Sequence, residues 1–235
     1  MKVFSRHLFA SMAIVLFAIS ACTQGEKKVE LSLFNGDDLQ NWNSSDMSYW
    51  SVADGSIVGG EGKDSIVNNQ FLWHEEKVRD FYLKVLVKVV PNTANAGIQF
   101  RSQKKGDEAL GYQADIGQGV WGRLYHESGR EKLHWEGKGE AAVKKNDWNT
   151  YEILAVGDNI WTAINGTLSV AYEDPNGELE GFIALQVHAG PAQIVAYKPV
   201  KLIHNPELKL GKYSESELME ALVEADGNPY MGGKK

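Results

Sequence analysis

The chain has one cysteine, Cys22, among 235 residues, so no disulfide can form within it. Helical periodicity is almost missing. Apolar residues recur at every second position over most of the length, which excludes a helix bundle and favours half-buried strands. A basic excess is missing too. Lys and Arg number 24 against 31 acids, a net charge of −7 with no basic stripe, and this argues against nucleic acid as a partner. No GxxxxGK[ST] or GxGxxG motif precedes a helical pattern, so no loop has phosphate-binding spacing. There is no HExxH or other tight metal-ligand spacing.

The one apolar run, Leu8 to Ile19, is too short for a comfortable membrane span. With Lys2 and Arg6 before it, it reads as a signal segment. It ends Ile19-Ser20-Ala21-Cys22, which resembles a bacterial lipoprotein signal. That resemblance implies cleavage before Cys22, a lipidated sulfur and a cell-envelope location, with the lipid anchor as the only membrane contact. Residues 1–21 are then the signal and 22–30 a polar tether. Residues 31–204 form one domain, and 205–235 a tail with a short helix.

Turn signals and alternating segments fill the rest. Trp50–Val52 and Ser56–Val58 flank Ala53-Asp54-Gly55, and Asn165-Gly166 links Trp161–Ile164 to Thr167–Val170; both predict hairpins. Asp80 to Val90 places Phe81, Leu83, Val85, Val87 and Val89 on one face. Further strands are expected over Val120–Glu127, Glu131–Trp135, Trp148–Val156, Gly181–His188 and Ile194–Ile203, with Pro199 requiring an edge or a bulge. About a dozen short strands predict an all-β sandwich or barrel. In the tail, Ser214 and Glu217 make a capping box, and Leu218, Met219, Leu222 and Val223 an apolar helical stripe stopped by Gly227.

The central strands Ala96–Gln103 and Gly111–Gly117 have an unusual polar face. Gln99, Arg101 and Gln103 share one side of the first; Gln113 and Asp115 share one side of the second. Amide, guanidinium and carboxylate groups suit hydroxyl-rich ligands better than Lys and Thr would. Gln186 and His188 share a phase on a later strand, and Trp121, Arg123 and Tyr125 on another. Seven Trp and nine Tyr exceed the needs of a core and suit a sheet face that meets a ligand.

Leu33-Phe-Asn-Gly36 with Trp42, Asp80-Phe81, Ala96-Gly-Ile-Gln-Phe-Arg101, Gly111-Tyr-Gln-Ala-Asp-Ile116, Trp121-Gly122, Leu124-Tyr125, Asp147-Trp-Asn-Thr-Tyr-Glu152, Asn165-Gly166 and Ile183-Ala-Leu-Gln-Val-His-Ala-Gly190 follow one another in order. Together they resemble the 3-keto-disaccharide hydrolase domain family, formerly a domain of unknown function, from about Leu31 to Ile203. The resemblance implies a concanavalin-like jelly-roll sandwich of two antiparallel sheets. It also implies action on sugars oxidised at C3, by elimination, by hydrolysis or by hydration of the keto-glucal. Many members carry a Thr-Lys pair before the Asp-Phe strand. This chain reads Leu72-Trp-His-Glu-Glu-Lys77 there, where His74 or Lys77 could replace the pair.

A C3 ketone acidifies the C2 proton, so the chemistry calls for a base, a stabiliser for the enolate and an acid for the leaving oxygen. His188, Asp115 and Arg101 are the candidate catalytic residues. His188 could be base or acid, and Arg101 could hold the keto oxygen. Asp115 could orient His188, ligate a metal or be the base. Gln99, Gln113 and Gln186 could fix sugar hydroxyls. Tyr125 could donate to the leaving group, Trp121 could stack on a ring, and Glu127 and His74 complete the binding set. Asp115, Glu127 and His188 could also share a divalent ion such as Ca²⁺ or Mn²⁺. The alternative is a sandwich module that binds glycans without chemistry. The Glu-x-Asp-x-x-Glu strand motif of paired-carboxylate glycosidases is missing.

Overall fold

The computed structural model describes residues 29–225. The expected signal segment, the lipidation site Cys22 and the helix stop Gly227 lie outside the described residues. The chain runs through β1 (Val29–Ser32), β2 (Trp42–Asn43), β3 (Trp50–Ala53), β4 (Ser56–Gly59), β5 (Gln70–Val78) and β6 (Phe81–Val90). The central pair β7 (Asn95–Lys105) and β8 (Glu108–Gly117) follows, then β9 (Leu124–Glu127) and β10 (Glu131–His134). Next come β11 (Asn149–Val156), β12 (Asn159–Ile164), β13 (Thr167–Glu173), β14 (Gly181–Val187) and β15 (Ile194–His204). Helix α1 (Glu215–Glu220) and β16 (Val223–Glu224) end the described chain.

These strands form two sheets packed face to face, the expected all-β sandwich. One has nine strands in the order β16-β13-β12-β11-β6-β15-β4-β3, with β1 added on β15; the other has seven, β10-β9-β8-β7-β14-β5-β2. All pairs are antiparallel except β13 with β16. Period-2 alternation sends Phe81, Leu83, Val85, Val87 and Val89 of β6 into the core. There they meet Ile98 and Phe100 of β7, Tyr112, Ala114 and Ile116 of β8, and Ile183, Leu185 and Val187 of β14. Tyr197 of β15 crosses this core. Its hydroxyl lies 2.8 Å from Gln186 O and 3.2 Å from Gly97 O, tying one sheet to the backbone of the other.

Both expected hairpins form with left-handed residues at the turn: Asp54 and Gly55 (φ 51° and 64°), and Asn165 and Gly166 (φ 49° and 77°). Pro199 sits at a bulge, where the β15–β6 register slips between Lys198 and Val200. Two boundaries differ from expectation. Pairing begins at Val29, opposite His204, so the last two residues of the expected tether belong to the sheet. The helical stripe is broken after Glu220. Leu218 is buried and its carbonyl accepts from Trp161 Nε1 at 2.9 Å, while Met219 and Val223 are exposed. Val223 is extended and pairs with Tyr172, because a free edge of β13 offers backbone hydrogen bonds that a helix end lacks. The capping box forms, Glu217 accepting from Ser214 N at 2.8 Å.

Candidate active site

The seven-stranded sheet turns its second face away from the core. Strand register aligns that face into rows. Tyr125 of β9 lies opposite Gln113 of β8, which lies opposite Gln99 of β7, then Ala184 of β14, Trp73 of β5 and Asn43 of β2. The adjacent row runs Asp115, Gly97, Gln186, Phe71. The expected face therefore exists, and it collects Gln99, Gln113, Asp115, Tyr125, Glu127 and Gln186 from four strands, with His188 just past the end of β14.

A hydrogen-bond relay runs along the rows. Ser102 Oγ donates to Gln99 Oε1 (2.9 Å), Gln99 Nε2 to Gln113 Oε1 (2.6 Å) and Gln113 Nε2 to Asp115 Oδ1 (2.7 Å). Gly97 makes room for it. A Cβ there would stand 2.5 Å from Gln113 Cδ, so only glycine lets that amide lie across the face. All four relay side chains are buried. Gln186 is buried as well, yet neither its Oε1 nor its Nε2 has a partner among the described residues. An unsatisfied buried amide is costly, and a ligand or an ordered water would supply the missing partners.

Burial pushes the Asp115 carboxyl up to about 8, with the nearby Glu127 charge adding to it and the Gln113 bond and Arg123 opposing. Burial also raises Glu127, and Glu108 adds to this, while the His188 imidazole is near enough to pull it back. Glu127 thus interacts electrostatically with both Asp115 and His188. His188 Nδ1 lies 2.6 Å from Ala189 O. A carbonyl only accepts, so Nδ1 carries the proton and Nε2 is the basic nitrogen. Tyr125 is raised by burial first and then by Glu127, Glu131 and Asp115. Beside it, Trp135 has its ring centroid 6.0 Å from that of Tyr125, with the Arg123 guanidinium 5.0 Å and Lys132 Nζ 5.2 Å from the Trp135 ring.

Three expected site residues lie elsewhere or turn otherwise. Arg101 leaves the polar row. The β7–β8 register slips between Phe100 and Gln103, and Arg101 adopts φ 47° at that bulge. Its buried guanidinium bonds Arg79 O (2.8 Å), Gly157 O (2.8 Å) and Asp80 (3.3 Å), and Asp80 also accepts from Gly157 N (3.0 Å). Arg101 clamps the β5–β6 turn to the β11–β12 turn. Replacing it with Met is expected to cost about 3 kcal/mol or more of stability, because bonded groups lose their partner. Turnover measured below the melting transition should change little; a large loss of turnover in stably folded protein would restore Arg101 to the chemistry.

Trp121 is the second correction. It is buried in the core between the sheets rather than on the ligand face. Gly117 to Arg123 form turns, with Trp121 N bonded to Gly117 O and Gly122 at φ 72°, so β9 starts at Leu124 and alternation before it is broken. His74 is the third. It shares the inward phase of Leu72, packs edge-on against Trp42 at 4.7 Å and accepts from Glu76 N through Nδ1, though it also lines a groove with Asn43, Trp73 and Phe182. Burial lowers its pKa. Among the described residues no group of three or more His, Cys, Asp or Glu side chains is arranged to hold a metal ion, so Asp115, Glu127 and His188 do not form a ready-made metal centre.

Other residues of this face were given no role from the sequence. Phe71 and Trp73 belong to β5, whose Phe-Leu-Trp run is apolar on both faces and so hides its alternation. Phe182 shares the phase of Gln186. Arg123 occurs in phase with Tyr125, and it supplies the guanidinium near Asp115 that Arg101 does not.

The model of the family described as the 3-keto-alpha-glucoside-1,2-lyase-like domain matches residues 30–203. The chain belongs to this family. The match covers every strand from β2 to β14 and so contains the whole relay face. Membership of the 3-keto-alpha-glucoside-1,2-lyase-like family supports a carbohydrate-processing function. No curated protein matches the chain. Among solved structures, a Parabacteroides distasonis protein described as a glycosyl hydrolase is similar at 20% identity, with a TM-score of 0.55 over 74% of this chain and 92% of its own. A Bacillus subtilis protein of unknown function with a galectin-like fold gives 0.56 at 10% identity over 76% and 96%. A 1,3-alpha-1,4-beta-D-galactose-4-sulfate-3,6-anhydro-D-galactose 4 galactohydrolase gives 0.53 at 11% identity over 80% and 99%. These likenesses establish the galectin-like, jelly-roll sandwich.

Proposed function

We propose that this protein cleaves 3-keto-glycosides by elimination across C1 and C2. The observation that carries the reading is the His188 Nδ1 bond to Ala189 O, which leaves Nε2 free to act as a base on the sheet face that also holds Asp115, whose carboxyl burial pushes up to about 8. His188 Nε2 takes the C2 proton, and the electron pair moves onto the C3 oxygen as an enolate. The enolate then reforms the C3 ketone, makes the C1=C2 double bond and expels the C1 oxygen, which takes its proton from Asp115. The products are a 3-keto-glucal and the free alcohol; addition of water to the glucal returns a 3-keto-sugar. Gln186 Nε2 and the Arg123 guanidinium are the donors available to the enolate oxygen.

The test is cleavage of a 3-keto-glucoside in deuterated water. Deuterium at C2 of recovered substrate or hydrated product is the expected outcome, since a proton held by His188 exchanges with solvent. Clean cleavage with no deuterium at C2 would mean direct hydrolysis and would end this reading.

A further inference from the structure

His188 follows the last ladder pair of β14 with β5, Val187 opposite Gln70. Past that pair the opposing chain continues at Asn69, and a side chain takes over from the backbone. Asn69 Oδ1 accepts from Ala189 N at 3.0 Å. Asparagine amides commonly stand in for a peptide group where regular pairing ends.

The same peptide is held at its other edge. Gln193 Nε2 donates to His188 O at 2.5 Å. The His188 carbonyl and the Ala189 N–H belong to one rigid plane, so two side-chain amides grip that plane from both sides. The next plane carries Ala189 O, and Gly190 N fixes it by donating to Ile66 O at 2.8 Å. With both planes held, Ala189 O faces back onto the ring of its own neighbour, and His188 Nδ1 meets it at 2.6 Å. Gln193 is buried, and its Oε1 has no partner among the described residues. An apolar side chain would fill the same space without that cost, so the bond to His188 O accounts for the amide.

We infer that Asn69 and Gln193 are positioning residues for His188. By fixing the peptide that follows its Cα, they keep Ala189 O on Nδ1 and so keep the basic nitrogen at Nε2. This rests on His188 being the base of the proposed elimination. Both residues act through the imidazole rather than on the sugar. Once the peptide is released, Ala189 O swings off Nδ1 and the ring proton is free to move to Nε2, where the lone pair that takes the C2 proton is lost.

The experiment labels the histidines of the full chain with ¹⁵N and reads their ring nitrogens by NMR above the ordinary histidine value of about 6.5, where the ring is neutral. The spectrum of His188→Ala identifies the His188 signals. Two variants are compared with the unmodified protein, Asn69→Ala and Gln193→Met. Circular dichroism first confirms their fold, and since the positions lie in different segments, either one that folds decides the matter. The expected result is a proton held on Nδ1 in the unmodified protein and a mixture of both tautomers in each variant. For a 3-keto-glucoside, kcat should fall about tenfold to a hundredfold in each variant with KM nearly unchanged. A proton on Nε2 in the unmodified protein, or an unchanged tautomer in a folded variant, overturns the inference whatever happens to kcat. A tautomer that shifts in the variants while no form of the protein cleaves a 3-keto sugar upholds the positioning and removes the proposed reaction instead.

Discussion

Replacing Asp115 with Asn is expected to lower turnover of a 3-keto-glycoside about 10²- to 10⁴-fold, the usual contribution of a positioned general acid. The same substitution is expected to make the protein more stable in alkali. Burial raises the folded-state pKa of Asp115 from 3.8 to about 8. The folded state then holds the proton more tightly than the unfolded chain does. The stability that depends on Asp115 is complete below the unfolded value, falls as pH rises, and is lost once pH passes the folded value. Asn carries no ionisable proton and escapes this loss. At about 1.4 kcal/mol per unit of pKa difference, the advantage of the variant should grow from near zero at about pH 4 to a few kcal/mol above about pH 8. Thermal melts of both proteins across that range test it. A melting difference independent of pH would mean that the carboxyl is ionised throughout and cannot serve as the acid. The alkaline limb of the kcat profile, expected near the same pH, should disappear with the substitution.

The second large effect belongs to His188. Changing it to Ala removes the only nitrogen assigned to take the C2 proton, and turnover should again fall about 10²- to 10⁴-fold. Sugar affinity should be kept, because the groove at Trp73 and Phe182 lies at the opposite end of β14 from His188. Deuterium incorporation at C2 should vanish with turnover, and added imidazole should restore part of both. A variant that still exchanges the C2 proton at the original rate would assign the base elsewhere, with Glu127 as the neighbouring carboxylate. The two substitutions are not expected to be additive, since in the proposed elimination His188 and Asp115 serve successive steps.

Arg101 and Arg123 explain how far alternation can be trusted. From the sequence both sit in polar phases of neighbouring strands. Arg101 is lost to the site because one bulge at φ 47° turns its guanidinium onto Arg79 O and Gly157 O. Nothing local in Phe-Arg-Ser marks that bulge. It follows from Gly181, where an added Cβ would lie 2.3 Å from Arg101 C, so the neighbouring strand passes too close for regular pairing. Arg123 follows the turns from Gly117 and meets Asp115 from the side. Trp121 failed for a related reason: strand phase carries through neither a bulge, as at Arg101, nor a turn, as at Trp121.

By itself the sequence determined the sandwich, most strand positions and the inward residues of β6, β7, β8 and β14, because burial of one face imposes period 2 and glycine or asparagine marks the turns. It also brought Gln99, Gln113, Asp115 and Gln186 into consideration, since amides and a carboxylate in core-length strands are unusual company. Tertiary structure alone decided three matters. Register set which of these side chains are neighbours, and so built the relay from Ser102 to Asp115. Burial, which no single strand reveals, raised the Asp115 carboxyl to about 8. And β5, apolar on both sides, placed Trp73 in the same row as the relay and opened a groove of about 510 Å³ beside it. Each depends on contacts between strands distant in the chain, where the periodicity of one segment holds no record of its partners.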